Sequence, residues 1–526
     1  MKIKFVGAAR TVTGSCYYIQ AGDTHLLVDC GAFQGTEEYE KRNFGLFPFK
    51  PSEIQYLLLT HAHIDHSGLI PKLVRDGFKG KILATSATVD LCGVMLLDSA
   101  HIHERDVEWE NKKRIRAGKP LIKPLYTIQE AVTSLAFFKG IAYKEIIDLG
   151  NGTKARFMDA GHILGSSIIE LWVNDDVREK KLVFSGDLGQ KDLPLIKDFT
   201  PIEEGDYVFI ESTYGNRKHK GIKETIDEFT QAIAESLQKG GNVIIPAFAV
   251  GRTQDILYIL NQLSKEGKLS HLQVFVDSPL ALQATRITLK HPECLDNETL
   301  ELIEKRQFPR STLTLKFTET IEDSMEINKI KKSAIIISSS GMCEAGRIRH
   351  HLKHNLCLDN ETLELIEKRQ FPRSTLTLKF TETIEDSMEI NKIKKSAIII
   401  SSSGMCEAGR IRHHLKHNLW RSECSVIFVG FQAKGTLGRR IVDGVKKVKI
   451  FGEEIAVNAR IYTIGGLSAH ADRDELIDWL SKFKKKPQRV FVVHGEEETS
   501  LSFAKTIQNQ LSLNAYVPGI QEETQI

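Results

Sequence analysis

The sequence predicts an α/β protein that contains two different arrangements of strands and helices. Residues 1–30 contain the stretches KIKFVG, SCYYIQ and HLLVDCG, whose pattern is typical of consecutive strands. From Gly221 onward, a long helical pattern leads into NVIIP, AFAVGRTQDILYILNQL and HLQVFVDSPLALQAT, in which strands and helices alternate. Such alternation indicates a mainly parallel sheet covered by helices. We therefore predict a strand-rich first part followed by an α/β part.

Length and composition are those of an ordinary soluble protein with several domains. The 526 residues are 41% hydrophobic and 26% charged, and the length predicts about two to four domains. The net charge of +3 gives weak support for a polyanionic partner. Two basic segments, Lys112–Lys119 and Lys482–Arg489, could still face a nucleic acid. For each of them, a solvated loop is the interpretation that the composition favours.

The sequence has no feature of a secreted or membrane protein. The N-terminus MKIKFVGAA begins a strand at once, which predicts no signal peptide. No apolar run approaches the ~18 residues that are needed to span a bilayer. The eight cysteines form no CxxC pair. We therefore expect buried free thiols in a reducing cytoplasm.

The densest group of candidate metal ligands follows a short apolar strand. In QYLLLTHAHIDHSG, three histidines and one aspartate lie within six positions. Side chains at the end of a buried strand point into the cleft on which the sheet opens. Imidazole is a good zinc ligand, and a carboxylate can bridge or complete a zinc site. We predict that this motif serves two metal ions rather than forming a surface cluster or a tag, and its ligands are His61, His63, Asp65 and His66.

Three further residues that could complete the site also follow apolar strands. Asp29 lies at the end of the strand predicted in HLLVDCG. We predict that it hydrogen-bonds a ligand imidazole rather than only capping a turn. His162 in MDAGHILGSS and Asp187 in VFSGDLG would each be weak evidence alone, because both lie near glycines. Together they supply a third imidazole for one zinc ion and a carboxylate that can bridge two.

The later part of the chain adds one carboxylate and two histidines. Glu211 ends the strand pattern DYVFIE, and His494 ends QRVFVVH. His470 lies in GLSAHAD, where a Ser/His/Asp cluster begins a helix. His101 and His103 fall in a charged stretch that we interpret as a helical insertion and not as a ligand pair.

Two helix starts in the α/β part could hold phosphate. In both AFAVGRTQ and VDSPLAL, a helix begins directly after a strand, where free backbone N–H groups can bind an anion. We therefore name Arg252 and Ser278 as candidate substrate contacts.

A 63-residue segment occurs twice without a single difference, as residues 294–356 and 357–419. Architectural repeats diverge, because only their packing positions are constrained. The identity therefore indicates a recent tandem duplication, or a cloning or assembly error. Each copy contains one apolar strand (SAIIISSSGM), so we predict that one copy is surplus to the sheet, although the sequence does not say which. We interpret the histidines of both copies as residues on a helix surface and not as ligands: His350, His351, His354, His413, His414 and His417.

The combination of these motifs resembles the metallo-β-lactamase superfamily. The resemblance rests on HAHIDH together with Asp29, His162, Asp187 and His494. IEST, GLSAHAD and VVHGE are similar to the additional motifs of the β-CASP branch, which includes Artemis, bacterial RNase J and the endonuclease subunit of the eukaryotic pre-mRNA 3′-end cleavage complex. PAFAVGRTQ and SSSGMCEAGR are also typical of its RNA-processing members. The resemblance covers essentially the whole chain.

The resemblance implies a four-layer αββα metallo-β-lactamase sandwich with an inserted α/β β-CASP domain. The sandwich would be formed by residues 1–210 and 465–526, and the insert by residues 211–464, which contain both copies of the duplicated segment. The active site would lie in the cleft between the two domains. No N-terminal KH extension and no C-terminal domain of the RNase J kind is visible, which predicts the minimal bacterial or archaeal type.

The resemblance also assigns a role to each candidate residue. His61, His63 and His162 would hold one Zn²⁺. Asp65, His66 and His494 would hold a second, and Asp187 would bridge the two. Asp29 would support the ligands, and Glu211 would orient His470 as a general acid. The residues expected to act in catalysis are thus Asp29, Asp65, Glu211 and His470.

These roles predict a zinc-dependent ribonuclease that acts on single-stranded regions of RNA in processing or decay. Two zinc ions about 3.5–4 Å apart can share a hydroxide nucleophile and stabilise the attacking and leaving oxygens. Histidine suits protonation of a leaving oxygen, because imidazole titrates near neutral pH. The pattern does not distinguish endonucleolytic from 5′-exonucleolytic cleavage.

Three alternatives stay open at this point. A thioester or lactam hydrolase is disfavoured, because a large insert with two accessory motifs suits a polymer. A DNA-directed nuclease of the same superfamily is a closer rival. The chain could also be an RNA-binding scaffold that the duplication has inactivated. A homodimer is an oligomeric state that the sequence leaves open.

Overall fold

A computed structural model of the protein divides the chain into two units. It describes residues 1–35, 37–174, 178–238, 243–268, 273–276, 278–305, 313–317, 334–338, 376–380, 387, 390, 397–401, 406, 411–430, 432 and 436–526. The first unit contains residues 1–219, 287–295 and 469–526, and the second contains residues 220–286 and 296–468. The two ends of the chain therefore fold together in the first unit.

Two seven-stranded sheets form the first unit. One has the order β24-β1-β2-β3-β4-β5-β6, and the other β23-β22-β11-β10-β9-β8-β7. The strands of the first sheet are β1 Lys2–Phe5, β2 Tyr17–Ala21, β3 Thr24–Val28, β4 Tyr56–Leu58, β5 Lys81–Thr85, β6 Phe138–Ile141 and β24 Glu523–Gln525. Those of the second are β7 Ile146–Gly150, β8 Thr153–Asp159, β9 Ser167–Asn174, β10 Glu179–Phe184, β11 Tyr207–Glu211, β22 Arg489–Val493 and β23 Ala515–Tyr516. The strands β4, β11 and β22 pair in parallel with their neighbours, whereas β8 pairs antiparallel with β7 and β9.

The two sheets pack face to face and carry helices on their outer faces. Phe5 and Tyr17 of the first sheet contact Phe209 of the second with ring centroids 6.0 Å apart in both pairs, and burying each such ring contributes about 1.5–3 kcal/mol. Trp479 and Phe503, from two C-terminal helices, pack on the outer face of the second sheet. The helices are Glu37–Arg42, Ile64–Ser67, Ile70–Arg75, Ser86–Arg116, Ile128–Leu135, Arg473–Ser481 and Glu497–Leu511. The predicted four-layer αββα sandwich is therefore confirmed.

The second unit is built on a parallel sheet, as predicted. Its order is β14-β16-β13-β15-β17-β12-β18-β21, and its described pairings are all parallel. The strands are β12 Val243–Pro246, β13 Gln273–Val276, β14 Leu313–Phe317, β15 Ala334–Ser338, β16 Leu376–Phe380, β17 Ala397–Ser401, β18 Ser425–Phe428 and β21 Arg460–Thr463. A separate antiparallel pair joins β19 Lys447–Ile450 to β20 Glu453–Ala456. Helices of this part are Ile222–Gln238, Arg252–Lys265, Pro279–Lys290, Asn297–Glu304, Ile411–Asn418 and Leu437–Val442.

Strands from both copies of the duplicated segment enter this sheet. β14 pairs with β16, and β15 with β17, so that each residue lies opposite its own duplicate. The strands β12 and β13, which lie outside the duplication, form their longer ladders with β17 and β16 of the second copy, whereas β15 meets β13 at one residue pair. LTLKF is a strand that the sequence interpretation missed. The surplus of one copy stays a prediction.

Two smaller expectations change. His414 is fully buried in the helix Ile411–Asn418, so our interpretation of it as a surface residue was wrong, whereas His350, His351 and His354 lie outside the described residues. The predicted insertion around His101 and His103 is the continuation of the helix Ser86–Arg116. None of the helices that the structure describes is long and apolar enough to cross a membrane.

Candidate metal centre and catalytic pair

The candidate ligands of the first unit lie where strands of both sheets end. His61 to His66 follow β4, and His162 and Asp187 follow β8 and β10. Glu211 is the last residue of β11, and His494 directly follows β22. Because these ends meet at one edge of the sandwich, side chains more than four hundred residues apart come into contact.

The first ligand group consists of three imidazoles and one carboxylate: His61, His63, His162 and Asp187. One ligand atom from each lies within 4.8 Å of the others. Asp187 Oδ2 is 3.5 Å from His61 Nε2 and 3.6 Å from His162 Nε2. His162 Nδ1 lies 3.2 Å from the Ala469 carbonyl oxygen. If Nδ1–H donates to this carbonyl, Nε2 is left as the atom that faces the group.

The second ligand group consists of Asp65, His66 and His494. His66 Nε2 is 3.1 Å from His494 Nε2, which in turn lies 3.6 Å from Asp65 Oδ2. The second oxygen of Asp187, Oδ1, is 3.4 Å from His66 Nε2 and 3.5 Å from His494 Nδ1. Asp187 therefore turns one oxygen to each group, which is the arrangement of a bridging carboxylate.

Asp29 supports the second ligand group through hydrogen bonds. It is buried and accepts hydrogen bonds from the Thr60 N–H at 2.8 Å and the Ser15 hydroxyl at 3.1 Å. His66 Nδ1 lies 2.7 Å from Asp29 Oδ2, so this nitrogen donates its hydrogen and Nε2 faces the ligands. Asp29 has a φ of 60°, a left-handed conformation that aspartate tolerates better than most residues. Thr60 was not singled out from the sequence, although its place directly before the motif could have identified it.

Glu211 and His470 form a pair beside the first ligand group. His470 Nδ1 is 3.2 Å from Glu211 Oε1, and the buried Glu211 also accepts the backbone N–H groups of Leu188 and Thr213. The His470 ring lies 4.5 Å from the ring of His162. Burial opposes the charge on His470, but the neighbouring Glu211 carboxylate outweighs it and raises the pKa of His470 to about 9. His470 is thus protonated at neutral pH.

The ionisation of the first ligand group suits a metal site. Burial lowers the pKa of His61 and His162, and it lowers the pKa of His63 to about 4. These imidazoles are therefore neutral at pH 7, the form that binds a metal ion. Burial opposes ionisation of Asp187, but His494 and His66 hold its pKa well below the usual value.

One buried atom gives a direct test of whether a metal fits. Within the described chain, Asp187 Oδ1 makes no hydrogen bond although it is buried. A buried carboxylate oxygen without a hydrogen bond is costly unless a cation compensates it. Imidazole nitrogens and carboxylate oxygens are also the donor types that zinc prefers in catalytic sites. The residues present therefore fit bound zinc.

The two candidate substrate contacts lie elsewhere, in the second unit. The guanidinium of Arg252 is 4% exposed and lies 2.9 Å from an Asp255 carboxylate oxygen. Ser278 is 1% exposed, and its hydroxyl oxygen accepts the Ala281 N–H at 2.7 Å as a helix cap. Both side chains are thus engaged in local structure, and their contact with substrate stays a prediction.

Three family models match the chain in order. A metallo-β-lactamase superfamily model covers residues 9–131, and a Beta-Casp domain model covers residues 253–369 and again 357–441. A Zn-dependent metallo-hydrolase RNA specificity domain covers residues 454–518. The second Beta-Casp match begins at residue 357, where the second copy of the duplicated segment starts.

Curated relatives match along almost the whole chain. A protein named Ribonuclease TTHA0252 from Thermus thermophilus is 33% identical over 523 residues, which cover 99% of this chain and all of the relative. An RNase J-like protein from Methanocaldococcus jannaschii is 28% identical over 98% of this chain and 97% of its own length. Transcription termination factor FttA of the same organism is 27% identical and covers 98% of this chain and 70% of its own length.

Proposed function

Because the chain belongs to the β-CASP branch of the metallo-β-lactamase superfamily, we propose that it is a zinc-dependent ribonuclease that hydrolyses RNA phosphodiester bonds. The observation that carries this proposal is the bridging position of Asp187 between two groups of buried ligands. The name of the Thermus thermophilus relative, which spans the whole chain, supports RNA as the substrate, as does the match to an RNA specificity domain.

Seven side chains would hold two zinc ions. His61, His63 and His162 would bind one, Asp65, His66 and His494 the other, and Asp187 would bridge. When bound, zinc supplies Lewis acidity toward a phosphate oxygen and lowers the pKa of a coordinated water to about 7. Burial opposes ionisation of Asp65, but His494 and His66 keep its pKa below the usual value. Asp65 is therefore ionised at neutral pH, the form in which a carboxylate binds a metal ion.

The protein groups supply the proton for the leaving oxygen. Glu211 accepts a hydrogen bond from His470 Nδ1–H, which fixes the ring and favours the charged imidazolium. His470 Nε2–H would then donate its proton to the leaving oxygen as the phosphorus–oxygen bond breaks. Asp29 takes no part in proton transfer; it fixes His66 Nδ1 and so keeps Nε2 directed at the ligand group.

Cleavage of labelled RNA tests this function. Purified full-length chain with zinc should cleave single-stranded RNA labelled at its 5′ or 3′ end, and a chelator or the substitution His63→Ala should abolish cleavage. The positions of the labelled products distinguish endonucleolytic from 5′-exonucleolytic action. If RNA stays intact, or if His63→Ala cleaves it as the unmodified chain does, the proposed function is wrong.

Matched substrates separate the remaining alternatives. Faster cleavage of a DNA strand than of an RNA strand of the same sequence would identify a DNA-directed nuclease. RNA binding without cleavage, at full zinc occupancy, would identify an inactive scaffold.

We also propose the domain division 1–210, 211–464 and 465–526 and a cytoplasmic location. The division is supported by the two units, whose boundaries lie near these positions. The location is supported by the described cysteines, which are all buried free thiols. A homodimer stays a prediction.

A further inference from the structure

One helix connects the candidate metal centre to a distant surface. The helix Ser86–Arg116 contains 31 residues. Its start is fixed to the loop that carries His162, because the hydroxyls of Thr85 and Thr88 donate to the Gly165 carbonyl oxygen at 2.6 and 2.8 Å. At ~1.5 Å per residue, the last residue lies about 45 Å from the first. The two ends of the helix therefore lie in different surroundings.

The far end of this helix is a folded structure, which we call the basic tip (residues 109–123). The Asn111 side-chain amide donates to the Ile122 carbonyl oxygen, and its own oxygen accepts the Ile122 N–H, both at 2.9 Å. Arg114 Nη1 donates to the Pro120 carbonyl oxygen at 3.1 Å. These bonds fold residues 117–123 back along the helix. Residues 112–116 therefore lie on the helix and not in the solvated loop that the composition suggested, whereas residues 117–119 are an exposed loop.

The basic tip concentrates positive charge. It contains six basic side chains and one acidic one, a net charge of +5, whereas the whole chain carries +3. All other residues together thus carry a net charge of −2. Lys113, Arg116, Lys119 and Lys123 form no ion pair with any residue that the structure describes. Such a local excess of cations favours a polyanion.

The arrangement of side chains favours RNA over a lipid surface. Trp109, Lys113 and Arg116 recur at helical spacing and share one face, and the Lys113 ammonium lies over the Trp109 ring. Trp109 is 42% exposed, so an aromatic ring stands among the cations. In a membrane-surface helix, apolar and cationic side chains occupy opposite faces. Single-stranded nucleic acids are instead bound by cations that contact phosphates and by aromatic rings that stack on bases.

We propose that the basic tip binds the backbone of single-stranded RNA at a site separate from the metal centre. The choice of RNA over other polyanions rests on the proposed function. A strand held at both places must span the length of the helix, about 13 nucleotides at a stacked spacing of ~3.4 Å. The tip would therefore increase the affinity for long RNA and leave short RNA unaffected.

The test compares two triple variants with equal charge. Lys113→Gln, Arg116→Gln and Lys119→Gln remove three cations from the tip. Lys484→Gln, Lys485→Gln and Lys486→Gln remove three exposed lysines from the other basic segment. Both variants lower the formal net charge from +3 to zero. Binding of the full chain to single-stranded RNA of about 30 nucleotides would be measured over a range of salt concentrations in an Asp187→Asn background, which we expect not to cleave.

The tip variant should reduce the slope of log affinity against log salt by about 2, since each lost contact with a single strand contributes ~0.7. This corresponds to about a hundredfold weaker binding at 0.1 M salt, relative to a 1 M reference. The control variant should keep both the slope and the affinity. Trp109→Ala should weaken binding without changing the slope, and RNA of about 5 nucleotides should bind all variants equally.

Three outcomes would contradict the inference. Equal losses in the tip and control variants would mean that only net charge matters. Unchanged RNA binding of the tip variant would exclude the site. A loss of binding to phosphatidylserine vesicles, with RNA binding intact, would identify a lipid-binding surface instead. Because binding is measured without cleavage, failure of the ribonuclease proposal would leave this result interpretable, and the reverse also holds.

Discussion

The two units of this protein differ in how their sequences determine their structures. In the first unit, each candidate metal ligand occurs once and follows a particular strand, so that a network such as Asp29 with Thr60 and His66 has one possible set of partners. In the second unit, identical strands lie beside each other, and Leu313–Phe317 pairs in register with Leu376–Phe380. Identical segments have identical propensities, so nothing local distinguishes their places.

The ambiguous strand pairing is confined to the second unit. Among the residues that the structure describes, the candidate ligands of the metal centre all lie in the first unit and outside the duplicated segment. Single substitutions in the first unit should therefore have large effects on metal binding and activity. The second unit should depend mainly on which strands occupy its sheet.

Removal of the bridging carboxylate should have the largest effect. Asp187→Asn replaces a negatively charged carboxylate by a neutral amide. The amide has a single oxygen and cannot bridge two cations through two equivalent oxygens. Metal catalysis supplies several kcal/mol to such reactions, so RNA cleavage should fall by more than about 10³-fold. Zinc content, measured by elemental analysis, should fall as well. Asp192→Asn is the matched control, because Asp192 also lies on the loop after β10 but is exposed, and it should cleave RNA normally.

This residue also shows what the sequence could and could not predict. The HAHIDH motif after an apolar strand identified His61, His63, Asp65 and His66, because local spacing determines which side chains a strand end presents. Its position after an apolar strand also predicts Asp187 as a bridging carboxylate, whereas only the resemblance to a known family assigns the distant His494 to the same site.

Other features depend on packing that no local pattern records. Thr60 donates to Asp29 through both its backbone and its side chain, and this double contact arises because two strands end side by side. His414 is buried because its helix packs on the sheet. Because the two copies are identical, no sequence pattern distinguishes which of them pairs with β12 and β13.

Loss of the proposed general acid should have the next largest effect. His470→Gln should lower kcat by about 10²- to 10⁴-fold, the range typical of general acid catalysis, while zinc content stays unchanged. The Glu211 carboxylate outweighs the effect of burial and raises the pKa of His470 to about 9. A general acid must be protonated, so activity is lost as the pH rises through this pKa.

The pH profile separates an acid from a structural residue. Glu211→Gln removes the charge that favours the imidazolium, and the alkaline limb of kcat should therefore move to lower pH. His470→Gln should abolish that limb altogether. If both variants lost activity equally at every pH, His470 would have a structural role and the assignment would be wrong.

Substitution of Asp29, which holds the ligand His66 in place, should have a smaller effect. Asp29 uses one oxygen for the Thr60 N–H and the other for His66, whereas asparagine has a single side-chain oxygen. Asp29→Asn should therefore weaken zinc affinity by about 10- to 100-fold, as is typical when the partner of a metal-binding histidine is lost. Competition with a chelator would measure this. Ser15→Ala removes only one hydrogen bond to Asp29 and should change the affinity less; an equal loss would contradict this role of Asp29.

Deletion of one copy of the duplicated segment is the largest change in sequence, but we expect it to have the smallest effect on activity. Removal of residues 294–356 or of residues 357–419 produces the same polypeptide, because the two copies are identical. The strands β12 and β13 would keep partners equivalent to β17 and β16, and the candidate metal centre contains no residue of either copy. We expect full zinc content and RNA cleavage within about tenfold of the longer chain, since each doubling of loop length costs only about 0.6 kcal/mol. Thermal unfolding should occur at the same temperature or slightly higher.

Loss of zinc, activity or thermal stability in the shortened chain would contradict this expectation. It would show that the second unit requires both copies of the duplicated segment.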